Sequence, residues 1–409
     1  MKSIGIAVTV LFVSSCSAAP SKDAIGQNST PDWFQSDLKR ELAISSTKLL
    51  EIPELNVSDQ VLGNFELIDQ DEGYWYFVSE VEGTTPVECY VYTEFDGAAN
   101  TLSYVIDYEL EYIGETFEQE ISERSNFGHD IGVIGSVPYI EFDTLYYVDV
   151  DNEKAAGVVK AISAQTNNSL QVCIHNEIGF KDTFNSIAQS FITAIANSED
   201  SESFYEVIYQ TLINGSAVGF VRESYFTDEE GDVFMQRDQS FAVPVDNASF
   251  SRTDTSYIEW SDSNGSLINA DSFTVENGEV KSNLKLTATE NSWIVEGQLQ
   301  AKEVQQDLNH DGWILSSYGT FLAVDGLVKS ENTSREYPMW IENADPGVVT
   351  EVIFNEITDN PEANIELVMG PVSTEAYYEN SIVQRASSRQ GNLSVDLEIM
   401  HVSGAPILE

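Results

Sequence analysis

The stretch DLNHDGW, Asp307 to Trp313, has the clearest metal-binding spacing in the sequence. Asp307, Asn309 and Asp311 offer side-chain oxygens at alternate positions. Gly312 permits a sharp turn, and Ile314 is apolar where calcium loops of the EF-hand kind are apolar. The twelfth position should close the shell with a bidentate carboxylate, but it is Tyr318, and no amphipathic helix pattern flanks the loop. The stretch is therefore not an EF-hand. It reads first as a hairpin turn between two strands, because Asn, Asp and Gly tolerate left-handed backbone angles. It reads second as a calcium half-site that a distant acid such as Glu303 would complete.

Other residues with chemical potential are scattered. His129, His175, His310 and His401 show no H-x-H or H-x-x-x-H spacing, which argues against a zinc site on a helix. His129 beside Asp130 has the composition of a general base, although a surface-loop histidine is the commoner reading, and His175 falls within a strand pattern. Ser45 and Lys48 match S-x-x-K without the partner motifs of that chemistry, and there is no G-x-S-x-G elbow. Nor does a phosphate-cradling glycine loop occur. Acids are so numerous that no carboxylate pair stands out as a glycosidase pair. Six tryptophans, Trp33, Trp75, Trp260, Trp293, Trp313 and Trp340, fill cores unless several share one exposed face.

Composition narrows the partners. The 409 residues contain 68 Asp and Glu against 19 Lys and Arg, a formal charge of −49 spread along the chain. Nucleic acid and anionic headgroups are therefore poor partners. With 42% apolar residues the chain can bury cores, and its length suits two domains.

The N-terminus reads as an export signal. Lys2 precedes the apolar run from Ile4 to Val13, which is too short to span a bilayer, and small residues follow. An ordinary secretory cut after Ala19 would leave Pro20 directly behind it. The residues Val13, Ser14, Ser15 and Cys16 resemble the lipobox of bacterial lipoproteins. That resemblance covers the first sixteen residues. It implies removal of residues 1–15, lipidation at Cys16 and anchoring to a membrane, with Ser17 pointing to the outer membrane of a Gram-negative cell. Cys89 and Cys173 then remain as an even pair in an oxidising compartment, either a disulfide across a sheet or two buried thiols.

These candidates must be held by two kinds of region. Residues 16–30 read as a flexible tether, and Phe34, Leu38, Leu42 and Leu49 predict a helix ended by Pro53. Strands follow, the clearest being YVIDYELEYI with Tyr104, Ile106, Tyr108, Leu110 and Tyr112 alternating with Val105, Asp107, Glu109, Glu111 and Ile113. A helix over DTFNSIAQSFITAIANSED closes the region, with Asp182 placed as its cap. The order helix, about seven strands, helix over residues 30–197 resembles the PsbP-like sandwich and implies an α+β fold with an antiparallel sheet and flanking helices. The polar stretch 198–203 reads as a linker. Residues 204–409 read as an all-β domain of antiparallel hairpins, forming a large curved sheet, sandwich or barrel, with Asn214-Gly215 the strongest hairpin signal and GTFLAVDGLVKS among the strands.

Together these features imply a noncatalytic cell-envelope lipoprotein binding a protein partner or an apolar ligand within the second domain. Two other classes compete: a secreted hydrolase using paired carboxylates on polysaccharide or peptide, and a calcium-stabilised structural or adhesive protein.

Overall fold

Short spacings between apolar runs leave no room for parallel crossovers, so neighbouring strands pair antiparallel. The computed structural model describes residues 32–150, 153–198, 203–290, 292–308, 310–330, 332–342 and 345–407. The signal segment, Cys16, the tether and most of the expected linker lie outside the described residues. The chain separates into two compact units, one formed by Pro20–Ser201 with Ala242–Arg252 and the other by Glu202–Phe241 with Thr253–Glu409. Ala242 to Arg252, within the region read as one all-β domain, group with the first unit. Asn126 N–H donates to the carbonyl of Asn247 at 2.7 Å, Arg124 Nε donates to Ala248 O at 3.0 Å, and Phe250 stacks on Phe142 at 4.2 Å. Such long-range contacts leave no mark in the local sequence.

The first unit contains α1 (Asp32–Asp37), β1 (Thr47–Ile52), β2 (Val57–Leu62), β3 (Phe65–Asp71), β4 (Tyr74–Ser79), β5 (Val87–Tyr92), α2 (Ala98–Phe117), β6 (Ile121–Ile134), β7 (Val137–Val150), β8 (Glu153–Gln165), β9 (Leu170–Asn176) and α3 (Lys181–Ala196). Among the described residues, β1 and β2 form a separate hairpin, and a seven-stranded sheet runs β3-β4-β5-β9-β8-β7-β6. Phe184, Ile187, Phe191 and Ile192 of α3 pack with Cys89, Cys173 and Ile162 on one face. On the other face Glu109 of α2 accepts from Asn176 Nδ2 at 3.1 Å.

Three local expectations change here. YVIDYELEYI is part of α2, not a strand. Its residues satisfy both periods, and burial of Leu102, Val105, Ile106, Leu110 and Ile113 along one stripe decides for the helix, leaving Tyr104, Tyr108 and Tyr112 exposed. The first helix ends at Asp37, and Leu49 belongs to β1. Asp182 does not cap α3 with its side chain: Glu41 does, accepting from the amides of Asp182 at 3.0 Å and Thr183 at 2.8 Å.

The second unit contains β10 (Tyr205–Ile213), β11 (Ser216–Thr227), β12 (Val233–Pro244) and β13 (Phe250–Ser261) apart from their ends within Ala242–Arg252, β14 (Leu267–Glu276), β15 (Glu279–Ala288), β16 (Trp293–Leu299), β17 (Lys302–Asp307), α4 (Ser317–Val328), β18 (Ser334–Trp340), β19 (Val349–Glu356), β20 (Ile365–Met369), β21 (Val372–Glu379), β22 (Ile382–Gln390) and β23 (Leu393–Gly404). The strands form one 14-stranded antiparallel sheet, ordered β17 down to β10, then β23 down to β18. The chain steps outward from β10 to one edge, crosses through α4 to the other edge, and returns to pair β23 with β10. Asn214 and Gly215 make the expected tight turn, with φ of 51° and 79°.

GTFLAVDGLVKS is helical over most of its length, against the strand expectation. An apolar run of this length fits a buried strand or a buried helix equally by period alone. Ser316 settles it by accepting from Gly319 N–H as an N-cap, and the helix is apolar over most of its circumference, with most of it buried.

Candidate functional site

One face of the 14-stranded sheet is covered by α4. Phe321 packs edge-on against Tyr205 at 5.6 Å and Tyr225 at 5.4 Å. The helix is anchored at its first turn. Ser316 N–H and Oγ both donate to Gly265 O at 3.0 Å, and Ile314 and Leu315 join Leu267 to Pro338 through hydrogen bonds of 2.8 Å. Gly265 and Gly319 permit the close approach, because a Cβ on Gly319 would lie 2.3 Å from Gly265 O.

Beneath that turn lies a buried charge cluster. Arg237 Nε is 3.2 Å from Glu223 Oε1, Arg237 Nη2 donates to Ser317 Oγ at 3.0 Å, and its guanidinium lies 4.8 Å from the centre of the Tyr257 ring. Glu259 accepts from Ser317 N–H at 2.6 Å and from Tyr257 Oη at 3.1 Å, and Tyr225 Oη donates to Glu223 at 3.0 Å. Burial pushes the carboxyls of Glu223 and Glu342 up, with Arg237 the main opposing charge, and it pushes Glu259 up to about 7. Arg237 remains a cation, since Glu223 and Glu342 outweigh its own desolvation. One guanidinium therefore serves three carboxyls, and protons carried by the acids relieve the surplus negative charge. One cavity beside α4 is about 50 Å³, lined by Tyr209, Glu223, Tyr225, Thr320, Phe321 and Tyr378, among others. It has room for water and not for an acyl chain or a sugar.

Sequence reading missed this cluster, although a signal exists. Arg237 is in phase with Val233, Met235 and Phe241, and Glu223 with Val221 and Tyr225, so a charge sits on the apolar face of each strand.

DLNHDGW connects β17 to the segment leading into α4, so it is not a turn between two strands. Asp307 accepts from Ser292 Oγ at 3.2 Å, Asp311 is exposed, and Asn309 lies outside the described residues. The loop is held by its backbone: Leu308 N–H donates to Trp293 O at 2.9 Å and Trp293 Nε1 donates to Gly312 O at 3.1 Å. Among the described residues no three His, Cys, Asp or Glu side chains converge to hold a metal.

Cys89 and Cys173 face each other on β5 and β9 and are joined by a disulfide, with both residues fully buried. His129 lies on β6 beside Phe142 and Phe250, at 5.0 and 5.5 Å, not in a surface loop, and burial lowers its pKa to about 4. His175 is buried, shares a hydrogen bond with Thr84 Oγ1 at 3.0 Å and is lowered to about 3 by burial. Trp75, Trp293 and Trp340 are core residues, whereas Trp313 is 48% exposed.

Among the described residues no helix is long and apolar enough to cross a membrane. No family model matches the chain. No curated protein matches it either. Among solved structures it is similar to the beta-barrel-like protein of domain of unknown function DUF1849 from Brucella abortus, at 11% identity and a TM-score of 0.38, covering 49% of this chain and 97% of that one.

Proposed function

We propose that this chain is a noncatalytic cell-envelope lipoprotein, anchored through lipid on Cys16 in the outer membrane, and that it works by holding a protein partner on its outer surface. The first unit is then an α+β sandwich domain and the second a separate β domain. The observation that carries the reading is the covering of the large sheet by α4. Ligand sites for small molecules span roughly 300–1,000 Å³; the cavity beside α4 is about 50 Å³, and the larger cleft on this unit, about 510 Å³, is lined largely by charged and polar residues such as Glu375, Arg385, Asp396 and Glu398. A lipid or other apolar ligand would require α4 to leave, breaking its hydrogen bonds to Gly265, Glu259 and Arg237. The buried carboxyls give no better support to a hydrolase, since Glu223 and Glu259 spend their oxygens on Arg237, Tyr225, Tyr257 and Ser317 beneath the helix.

The test has two arms, both on the full-length protein. Immobilised protein should retain a specific partner from envelope extracts, and a 16-carbon fluorescent fatty acid should show no saturable uptake. Saturable uptake, or no retained partner, overturns the reading. Separately, Cys16→Ser should release the protein from the membrane fraction.

A further inference from the structure

The first unit has a second surface that none of this explains. In the seven-stranded sheet, α2 lies over β6 to β9. On the same face β4 and β5 carry Tyr74 opposite Tyr92 and Tyr76 opposite Tyr90, all half-buried, with Glu88 next along β5. The rings form a row, each packed against its neighbour. Tyr76 and Tyr90 stack at 4.8 Å, Tyr74 and Tyr92 meet at 5.5 Å, and Tyr90 and Tyr92 stack at 6.3 Å along the strand. Tyr104 and Tyr108, stacked on each other at 6.5 Å, stand on the flank of α2 close enough to Tyr92 and Tyr74 to influence them electrostatically.

The surroundings of the row are acidic and lack counter-charge. Glu88 Oε2 accepts from Tyr76 at 2.7 Å and Tyr90 at 2.9 Å, and Glu109 accepts from Asn176. Asp69 and Asp71 stand opposite Tyr76 and Tyr74 on β3. Among the described residues none of Asp69, Asp71, Glu88 and Glu109 forms an ion pair, although Lys154, Lys181 and Arg385 elsewhere do. Burial pushes Glu109 up to about 7, and nearby Glu88 pushes in the same direction. A cation set on this surface would reverse that shift.

We infer that this tyrosine face of β4, β5 and α2 receives an extended, arginine-bearing segment of a partner protein. The charge complementarity selects a cation, and the rings select one that stacks: a guanidinium lies flat on tyrosine while donating to carboxylates, which a compact ammonium does less well. Spacing selects an extended chain. Alternate side chains of an extended segment repeat at roughly 6.5 Å, close to the 6.3 Å between Tyr90 and Tyr92. The inference rests on the partner-binding reading and gives the partner's chemistry.

The experiment is calorimetric titration of the full-length protein with an eight-residue peptide alternating arginine and threonine, and with the same peptide carrying citrulline, which keeps the shape and loses the charge. Saturable binding of the arginine peptide and none of the citrulline peptide is expected. Tyr104→Ala/Tyr108→Ala should weaken binding about tenfold; both side chains are more than half exposed, so the fold should tolerate their loss. Glu88→Gln should weaken it similarly, and Glu296→Gln/Glu303→Gln in the other unit should not. If the wild type does not bind, or if the tyrosine variant binds as well as the wild type, the inference is wrong, the latter outcome meaning that diffuse net charge does the work. Neither result decides whether envelope extracts yield a partner, so the two readings fail separately.

Discussion

At the scale of single residues, Glu41 shows how a function expected of one side chain is taken over by another. Asp182 sits in the first turn of α3, where a sequence reader looks for a cap. The amides of Asp182 and Thr183 instead point at Glu41, far away in the chain, and Thr183 Oγ1 donates to it at 2.7 Å. Burial alone would raise the Glu41 pKa, but these hydrogen bonds outweigh it and leave the carboxyl below its ordinary value. Glu41→Ala should therefore cost about 1–2 kcal/mol, read as a drop in urea midpoint, whereas Asp182→Ala, which keeps the backbone donor, should cost about 0.5 kcal/mol through the helix dipole. Equal losses would show that the cap is not where the geometry puts it. DLNHDGW teaches a related lesson: its composition suits a turn first and a metal second, and the tryptophan that holds its backbone, Trp293, is fourteen residues before Asp307 and outside any motif.

Elements show where local pattern is insufficient. The region that became α2 alternates like a strand and also repeats like a helix, and only the surface it packs against chooses. The α4 helix was illegible for a different reason: a segment apolar over most of its circumference has little moment to read. Its position depends on two glycines that touch backbone to backbone. Gly319→Ala would drive a methyl to 2.3 Å from Gly265 O, so despite alanine's better helix propensity the substitution should destabilise by about 1–3 kcal/mol. Gly326→Ala, facing the Arg335 side chain instead of backbone, should cost less. A thermal melt of both variants checks this, and a stabilised Gly319→Ala would refute the close approach.

At the scale of the molecule, burial sets opposing pH dependences. Glu259 holds its proton to about pH 7 in the folded chain, against an ordinary value near 4.5. Between those limits only the folded chain binds the proton, so its contribution falls as pH rises, by about 3 kcal/mol at most. His129 and His175, lowered to about 4 and 3, act in the other direction: the unfolded chain takes protons below about 6.5, and stability falls as pH drops. The two effects act on different units, Glu259 on the second and the histidines on the first. Glu259→Gln removes the effect on the second unit. Its melting temperature relative to the wild type should rise steadily from pH 4.5 to 7 and then level, and a pH-independent difference would contradict the buried, protonated Glu259.

By itself the sequence determined the β-rich character, the antiparallel pairing of close neighbours, the Asn214-Gly215 hairpin and the helix over DTFNSIAQSFITAIANSED, because each rests on contacts or periods spanning a few residues. Tertiary structure alone decided that α2 and α4 are helices, that Glu41 caps α3, that Arg237 gathers Glu223 and Glu259 beneath α4, and that tyrosines from β4, β5 and α2 form one surface. In each of these the partners are far apart along the chain, and the free energy that chooses between local alternatives is gained only when distant faces meet.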